Sequence, residues 1–203
     1  FSSEQMQKSL FLDPGITRSL PERDGSEIYT DSKRGLRVRT EQKWISFTDP
    51  IAPVDGENDL RENLYAAVQF VNQHGGWNGD YLLHMAGNKG QEGDVFVFQQ
   101  YYGSYPIVSD GKTKYGEMRL SAQKGTVSSY ERSLVNLDKE EAEKSQEILP
   151  GGTALDTKLA NFSGESVIKT VFPAYRPQLT KETLELTPVW VIEFLDGTRT
   201  ILR

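Results

Sequence analysis

The chain has 203 residues, a net charge of −6, two histidines and no cysteine. That length buries a real core as one large domain or two small ones; the acid excess argues against a nucleic-acid surface, and the lack of cysteine removes disulfides, thiolate nucleophiles and the common structural zinc sites. No apolar run approaches the roughly 20 residues that cross a bilayer, so the chain reads as soluble, and its opening at Phe1 rather than Met reads as a processed chain or an excised fragment.

Ser3 is expected to cap a short helix reaching Phe11, with Met6, Leu10 and Phe11 on its apolar side and Asp13-Pro14-Gly15 as its stop. Strands follow over residues 27–30, 36–40 and 44–48, separated by turns; in the second, Leu36 and Val38 alternate with Arg37 and Arg39. Pro50 and Pro53 keep the next stretch extended. It delivers the chain to its clearest helix, where Asp59 is the N-cap and Glu62 its partner in a capping box. Leu60, Leu64, Ala67, Val68 and Val71 recur at the helical period, and Gly75-Gly76 supplies a left-handed stop.

Beyond that helix, strands are predicted over residues 81–85, 94–102, 115–123 and 126–137, with a glycine-bearing loop over 86–93. The run 94–102 is apolar on both faces over its first half, as a strand flanked by others is. A charged helix is expected over residues 138–144 and, after Pro150-Gly151-Gly152, a second over 153–161 with Leu155 and Leu159 one turn apart. Strands over 165–174, 185–194 and 198–202 complete the chain, the last two joined at Asp196-Gly197. The expectation is an α+β fold of two consecutive units, each one or two helices packed on an antiparallel β-meander. The first, residues 1–137, holds a strand meander, the helix over 59–74 and a four-strand meander; the second, residues 138–203, is smaller.

Catalytic signatures do not emerge. His74 ends the long helix, where the dipole favours an imidazolium, and His84 sits on a strand without convergent partners. No serine lies in a Gly-x-Ser-x-Gly elbow, and Gly87, Gly90 and Gly93 lead into a strand rather than a helix, so they form no phosphate cradle. The acids Glu140, Glu141 and Glu143 are interleaved with lysines, as on a solvated helix face. Two features are candidates for partner or ligand contact. One is the basic strand, where Arg37 and Arg39 share a face; the other is the aromatic set Tyr101, Tyr102 and Tyr105 together with Trp77. Packing of a solvated sheet face and of a sheet edge explains both without function.

Several strings are distinctive: Leu12-Asp13-Pro14, Glu27-Ile28-Tyr29-Thr30-Asp31, residues 67–77 (AVQFVNQHGGW), residues 100–107 (QYYGSYPI), residues 129–134 (SYERSL) and, more weakly, Thr187-Pro188-Val189-Trp190. Together they resemble the YycH family, accessory regulators of the sensor histidine kinase WalK (YycG) in Gram-positive bacteria; the sister YycI family is the runner-up. The resemblance implies a non-catalytic domain on the extracytoplasmic face of the membrane, held by a single-pass N-terminal anchor that this chain lacks. It further implies that the kinase and YycI are the partners, that no cofactor is used, and that regulation runs through protein–protein contact. The alternative from another class is an extracytoplasmic module that binds a small molecule or cell-wall fragment through the tyrosines and the basic strand.

Overall fold

A computed structural model describes residues 2–11, 17–50, 57–88, 93–137, 147–162, 167–180 and 183–202. The stop at Asp13-Pro14-Gly15, Gly90 and the charged helix expected over 138–144, with its three glutamates, lie outside them. In chain order the elements are α1 (Ser3–Leu10), β1 (Arg18–Pro21), β2 (Glu27–Thr30), β3 (Gly35–Arg39), β4 (Trp44–Thr48), α2 (Leu60–Gln73), β5 (Asp80–Asn88), β6 (Asp94–Tyr102) and β7 (Tyr105–Pro106). Then follow β8 (Glu117–Gln123), β9 (Thr126–Ser133), α3 (Thr153–Ala160), β10 (Ile168–Thr180), β11 (Thr183–Phe194) and β12 (Arg199–Leu202). This is an α+β fold with a large and a small sheet, and every pairing between named strands with a described register is antiparallel. Two compact units form: Phe1–Gln100 with Glu117–Leu137, and Tyr101–Gly116 with Asp138–Arg203. No helix among the described residues is long and apolar enough to cross a membrane.

In the first unit the two predicted meanders are one sheet, ordered β1-β2-β3-β4-β9-β8-β6-β5, because β4 pairs with β9. Register carries a row of core side chains across it: Tyr29 lies opposite Leu36, Leu36 opposite Phe47, Phe47 opposite Tyr130, Tyr130 opposite Leu120 and Leu120 opposite Phe96. On β9, Val127 and Tyr130 both reach this core although one position is odd and the other even. The register explains it: Ala122 faces Val127 while Ser121 faces Ser129, so Ser128 is an extra residue that flips the alternation.

The helices cover that face. Met6 and Leu10 of α1 and Phe11, which follows it, are buried as the sequence predicts, but the cap is Ser2, not Ser3: Ser2 Oγ accepts from Gln5 N and Gln5 Oε1 accepts from Ser2 N. The box needs Gln or Glu three residues after the cap, and Gln5 satisfies it from Ser2. On α2, Asp59 caps by accepting from the amides of Arg61 and Glu62, and Ala67 and Val71 are fully buried. One expectation for this helix fails. Leu60 is exposed, and the buried position in the first turns is the polar Asn63. β5 runs on through Asn88, so its strand extends into the stretch expected to be a glycine loop.

Asn63 is buried because its amide has a full set of partners. Its Nδ2 donates to Asp94 Oδ2 at 2.6 Å and to Asn58 Oδ1 at 2.7 Å, while its Oδ1 accepts from Gly125 N at 2.8 Å. Lys124 N donates to Asn58 Oδ1, so the start of α2 is bonded to the β8–β9 turn and to the first residue of β6.

In the second unit β11 lies between β10 and β12. Both faces of this small sheet are packed. Val108, Ala174, Val191 and Ile201 lie in one cluster; Ile192, Phe194 and Leu202 lie in the other, under Leu155 and Leu159 of α3. β10 runs beyond its predicted end at residue 174 to Thr180, and both Pro173 and Pro177 lie within it. As an edge strand it needs only half of its amides for the ladder, which leaves room for prolines.

Candidate functional site

The most organised polar cluster in the first unit forms where α2 ends. His74 is the C-cap residue, and Gly75 and Gly76 both adopt positive φ, +99° and +62°. His74 N bonds back to the Phe70 carbonyl and Gly76 N to that of Val71, which closes the helix. A Cβ on Gly75 would stand 2.8 Å from Met6 Sδ, so the turn also has to be bare for α1 to pack there.

Arg132 of β9 reaches this turn from beneath. It is fully buried, in register with Ile45 on the core face, two residues from Tyr130. Its Nη1 donates to the Gly76 carbonyl at 2.6 Å and to the Tyr130 hydroxyl at 2.8 Å, and its Nη2 donates to Asn78 Oδ1 at 2.5 Å. Asn78 Oδ1 also accepts from the Tyr81 hydroxyl, its Nδ2 donates to the Val135 carbonyl, and its carbonyl accepts from Gln100 Nε2. The Tyr130 hydroxyl in turn faces the His74 carbonyl at 3.4 Å. Burial pushes the Tyr81 and Tyr130 phenols up, so both stay protonated donors.

His74 corrects its sequence reading. The dipole argument favours an imidazolium, yet burial lowers its pKa, with a hydrogen bond to the Ser9 backbone only partly opposing the effect. Its ring packs on Phe70 at 4.2 Å, and its buried Nδ1 has no hydrogen-bond partner. Desolvation thus favours the neutral ring.

What this arrangement does is hold one backbone geometry. Arg132 and Asn78 escaped sequence reasoning because a charged and an amide side chain look like surface. One signal was available: Tyr130 and Arg132 are two apart on a strand and so point the same way.

The expected contact residues belong to both units. Arg37 and Arg39 share one side of β3; Arg37 is ion-paired with Glu22 at 2.5 Å, and in register with Ser46, whose hydroxyl donates to Glu131. Trp77 packs within the first unit, edge-on to Phe98 at 5.1 Å and beside Tyr81, with its Nε1 donating to Asn72 Oδ1. Tyr101, Tyr102 and Tyr105 belong to the second unit. There Tyr102 and Tyr105 both meet Tyr175 edge-on, at 5.8 and 6.1 Å. His84 lies on the exposed part of β5.

The second unit also has an open depression of about 480 Å³, lined by Asp110, Lys158, Asn161, Phe162, Thr200 and Leu202 among others. Among the described residues, no group of three or more His, Asp or Glu side chains is placed to hold a metal ion.

Residues 1–201 match the family model described as the YycH protein, C-terminal domain. The chain belongs to the YycH C-terminal domain family. The fold agrees with it: the crystal structure of YycH from Bacillus subtilis superposes with a TM-score of 0.72 at 18% identity, covering 100% of this chain and 49% of that one. The chain therefore spans about half the length of that protein. The Bacillus megaterium YpeB C-terminal domain aligns at 9% identity and a TM-score of 0.45, covering 100% of this chain and 98% of its own, a likeness too slight to carry an argument. No curated protein sequence matches. Two strings that suggested the YycH family from sequence, residues 67–77 and 129–134, are joined in the structure by Arg132 and Tyr130.

Proposed function

We propose that this domain is a non-catalytic, extracytoplasmic part of a membrane-anchored accessory protein that adjusts a two-component sensor histidine kinase through protein–protein contact. WalK (YycG) and YycI are the partners this reading assigns. Membership of the YycH C-terminal domain family over residues 1–201 carries it. Polar side chains such as Asp31, Glu193 and Tyr130 are bonded to Arg34, to Lys169 with Arg199, and to Arg132 respectively, as internal fastenings. Partners anchored in one membrane meet at high effective concentration, so a weak contact by this domain suffices. Co-purification of the full-length anchored protein with the kinase and YycI tests the proposal. Association is expected, and its reproducible absence overturns it.

A second reading, a module for cell-wall fragments, draws on Tyr102, Tyr105 and Tyr175, whose rings meet edge-on with Tyr105 exposed. Ligand-observed NMR with peptidoglycan fragments decides it. Saturable binding lost in Tyr105→Ala supports the module, and no binding removes it.

A further inference from the structure

Asn78 and Gly79 are the chain's only Asn-Gly pair. The fold requires both residues. A Cβ on Gly79 would stand 2.6 Å from Gln100 Nε2, and Gln100 is buried with that nitrogen bonded to the Asn78 carbonyl, so a side chain at position 79 costs the bond. Asn78 is required for its amide: Oδ1 accepts from Arg132 Nη2 at 2.5 Å and from the Tyr81 hydroxyl at 2.8 Å, while Nδ2 donates to the Val135 carbonyl at 2.6 Å. An aspartate there would turn an acceptor toward that carbonyl. The same pair carries a chemical liability. In Asn-Gly the next backbone nitrogen reaches the side-chain carbonyl carbon with least obstruction, because glycine has no Cβ in the way. Asn78 is half-buried and Gly79 exposed, so water reaches that nitrogen.

We propose that Asn78 is a site of spontaneous deamidation which the native bonds hold shut, so that the joint between α2 and β5 keeps a covalent record of its own opening. Hydroxide removes the Gly79 amide proton, the nitrogen lone pair forms a bond to Asn78 Cγ, and the Cγ–Nδ2 bond breaks as ammonia leaves with a proton taken from water. Water then opens the succinimide at either carbonyl, its hydroxyl going to carbon and its proton to the ring nitrogen, which gives aspartate or isoaspartate. The balance is one water in and one ammonia out. In the native state, swinging Cγ over the Gly79 nitrogen gives up the bonds to Arg132, Tyr81 and Val135. Arg132 is the main fastener, since it is fully buried and holds the Gly76 carbonyl as well. Opening of this joint, not unfolding of the whole domain, therefore sets the rate. Either product is a lasting change: aspartate sets a carboxylate against the Val135 carbonyl, and isoaspartate adds a methylene to the backbone between α2 and β5. The inference does not depend on the regulatory reading.

The test incubates the folded 203-residue chain at neutral pH in heavy-oxygen water and follows the peptide containing Asn78 by mass spectrometry. The label marks hydrolysis during incubation rather than during work-up, and fragment spectra place it at residue 78. The folded parent is expected to convert at least about tenfold more slowly than the same chain in denaturing urea. Arg132→Met is expected to convert about fivefold or more faster than the parent, while Asn63→Ala, which loosens the opposite end of α2, stays within about twofold of it. Tyr81→Phe takes one donor from Oδ1 and is expected to fall between the parent and Arg132→Met. Circular dichroism shows whether each variant is folded, and Tyr81→Phe decides where Arg132→Met is not. Equal rates in the folded and the urea-denatured parent overturn the proposal, as does a denatured chain that does not convert at residue 78. An Arg132→Met that converts no faster than Asn63→Ala also overturns it, and so, where Arg132→Met does not fold, does a Tyr81→Phe that matches the parent.

Discussion

Arg132 closes the C-terminus of α2 from a neighbouring strand, donating Nη1–H to the Gly76 carbonyl at 2.6 Å. The bond joins a strand to the turn that ends a helix, and it places a cation where the helix dipole is negative. Because Arg132 is fully buried, its removal takes a donor at once from the Gly76 carbonyl, the Tyr130 hydroxyl and Asn78 Oδ1, the last two keeping only the bonds to the His74 carbonyl and from the Tyr81 hydroxyl. Arg132→Met is expected to cost about 3 kcal/mol of unfolding free energy, with Arg132→Lys recovering only part, since an ammonium cannot reproduce the fork. Urea denaturation measures it, and a loss below about 1 kcal/mol contradicts the role given to the network.

Asn63 makes the same kind of fastening at the other end of α2. Asn63→Ala is expected to destabilise the fold by about 2 kcal/mol, because Gly125 N–H loses its side-chain acceptor and Asp94 Oδ2 keeps only the bond from Asn58 Nδ2. Asn63→Leu should be no better despite its greater hydrophobicity. If Leu stabilises, the amide network is dispensable and the helix wants only an apolar stripe.

Much of this fold is legible from residue patterns, and the failures share a cause. Asp59 and Gly75-Gly76 mark the ends of α2, and the residue run of β6 marks a strand flanked on both sides, since those signals are local. Leu60 and Asn63 are misread because burial on a helix face depends on where the sheet beneath it ends, which no helical period contains. β1, exposed at all four residues, has no alternation to read. The site is harder still. Trp77 and the tyrosines look like one aromatic set in sequence, yet Trp77 is fixed by Phe98 and Tyr81 while Tyr102 and Tyr105 are fixed by Tyr175, a residue about 70 positions further on.

Gly75→Ala should separate backbone strain from packing. The position has φ +99°, and the added methyl meets the flexible Met6 thioether, so two penalties add. A loss of about 2 kcal/mol is expected, and Met6→Ala in the Gly75→Ala background should recover none of the backbone part. Full rescue by the smaller residue 6 would mean that the backbone conformation is unstrained.

His74 gives the domain a pH dependence of defined sign. Its folded pKa lies below the ordinary value of 6.5, mainly through burial, so the native state resists protonation more than the unfolded chain does. Its contribution is complete above about pH 6.5 and declines as the pH falls below that value toward the lower folded pKa. His74→Gln, which carries no titrating group, should flatten the stability profile between pH 7 and pH 5. Equal slopes for parent and variant in that window would show that the ring is free to charge in place.

Glu193 acts lower on the pH scale, in the second unit. Its carboxylate accepts from Lys169 at 2.7 Å and from Arg199 at 2.8 Å, and these bonds hold its pKa below the ordinary 4.5, the Lys169 bond most strongly. The pair with Arg199 is the enclosed one, since Lys169 is more than half exposed; it is also supported by the Arg199 guanidinium lying over the Phe172 ring at 5.2 Å. Glu193→Gln is therefore expected to cost about 1–2 kcal/mol at pH 7, and Lys169→Met less than about 0.5 kcal/mol. Protonation acts in the same direction as the substitution: the parent loses this stability as the pH falls below 4.5 and through the folded pKa, and the gap between parent and Glu193→Gln closes. Paired thermal melts at pH 7 and pH 3 measure the gap, and a difference that persists at the lower pH would mean that Glu193 stabilises by its packing and not by its charge.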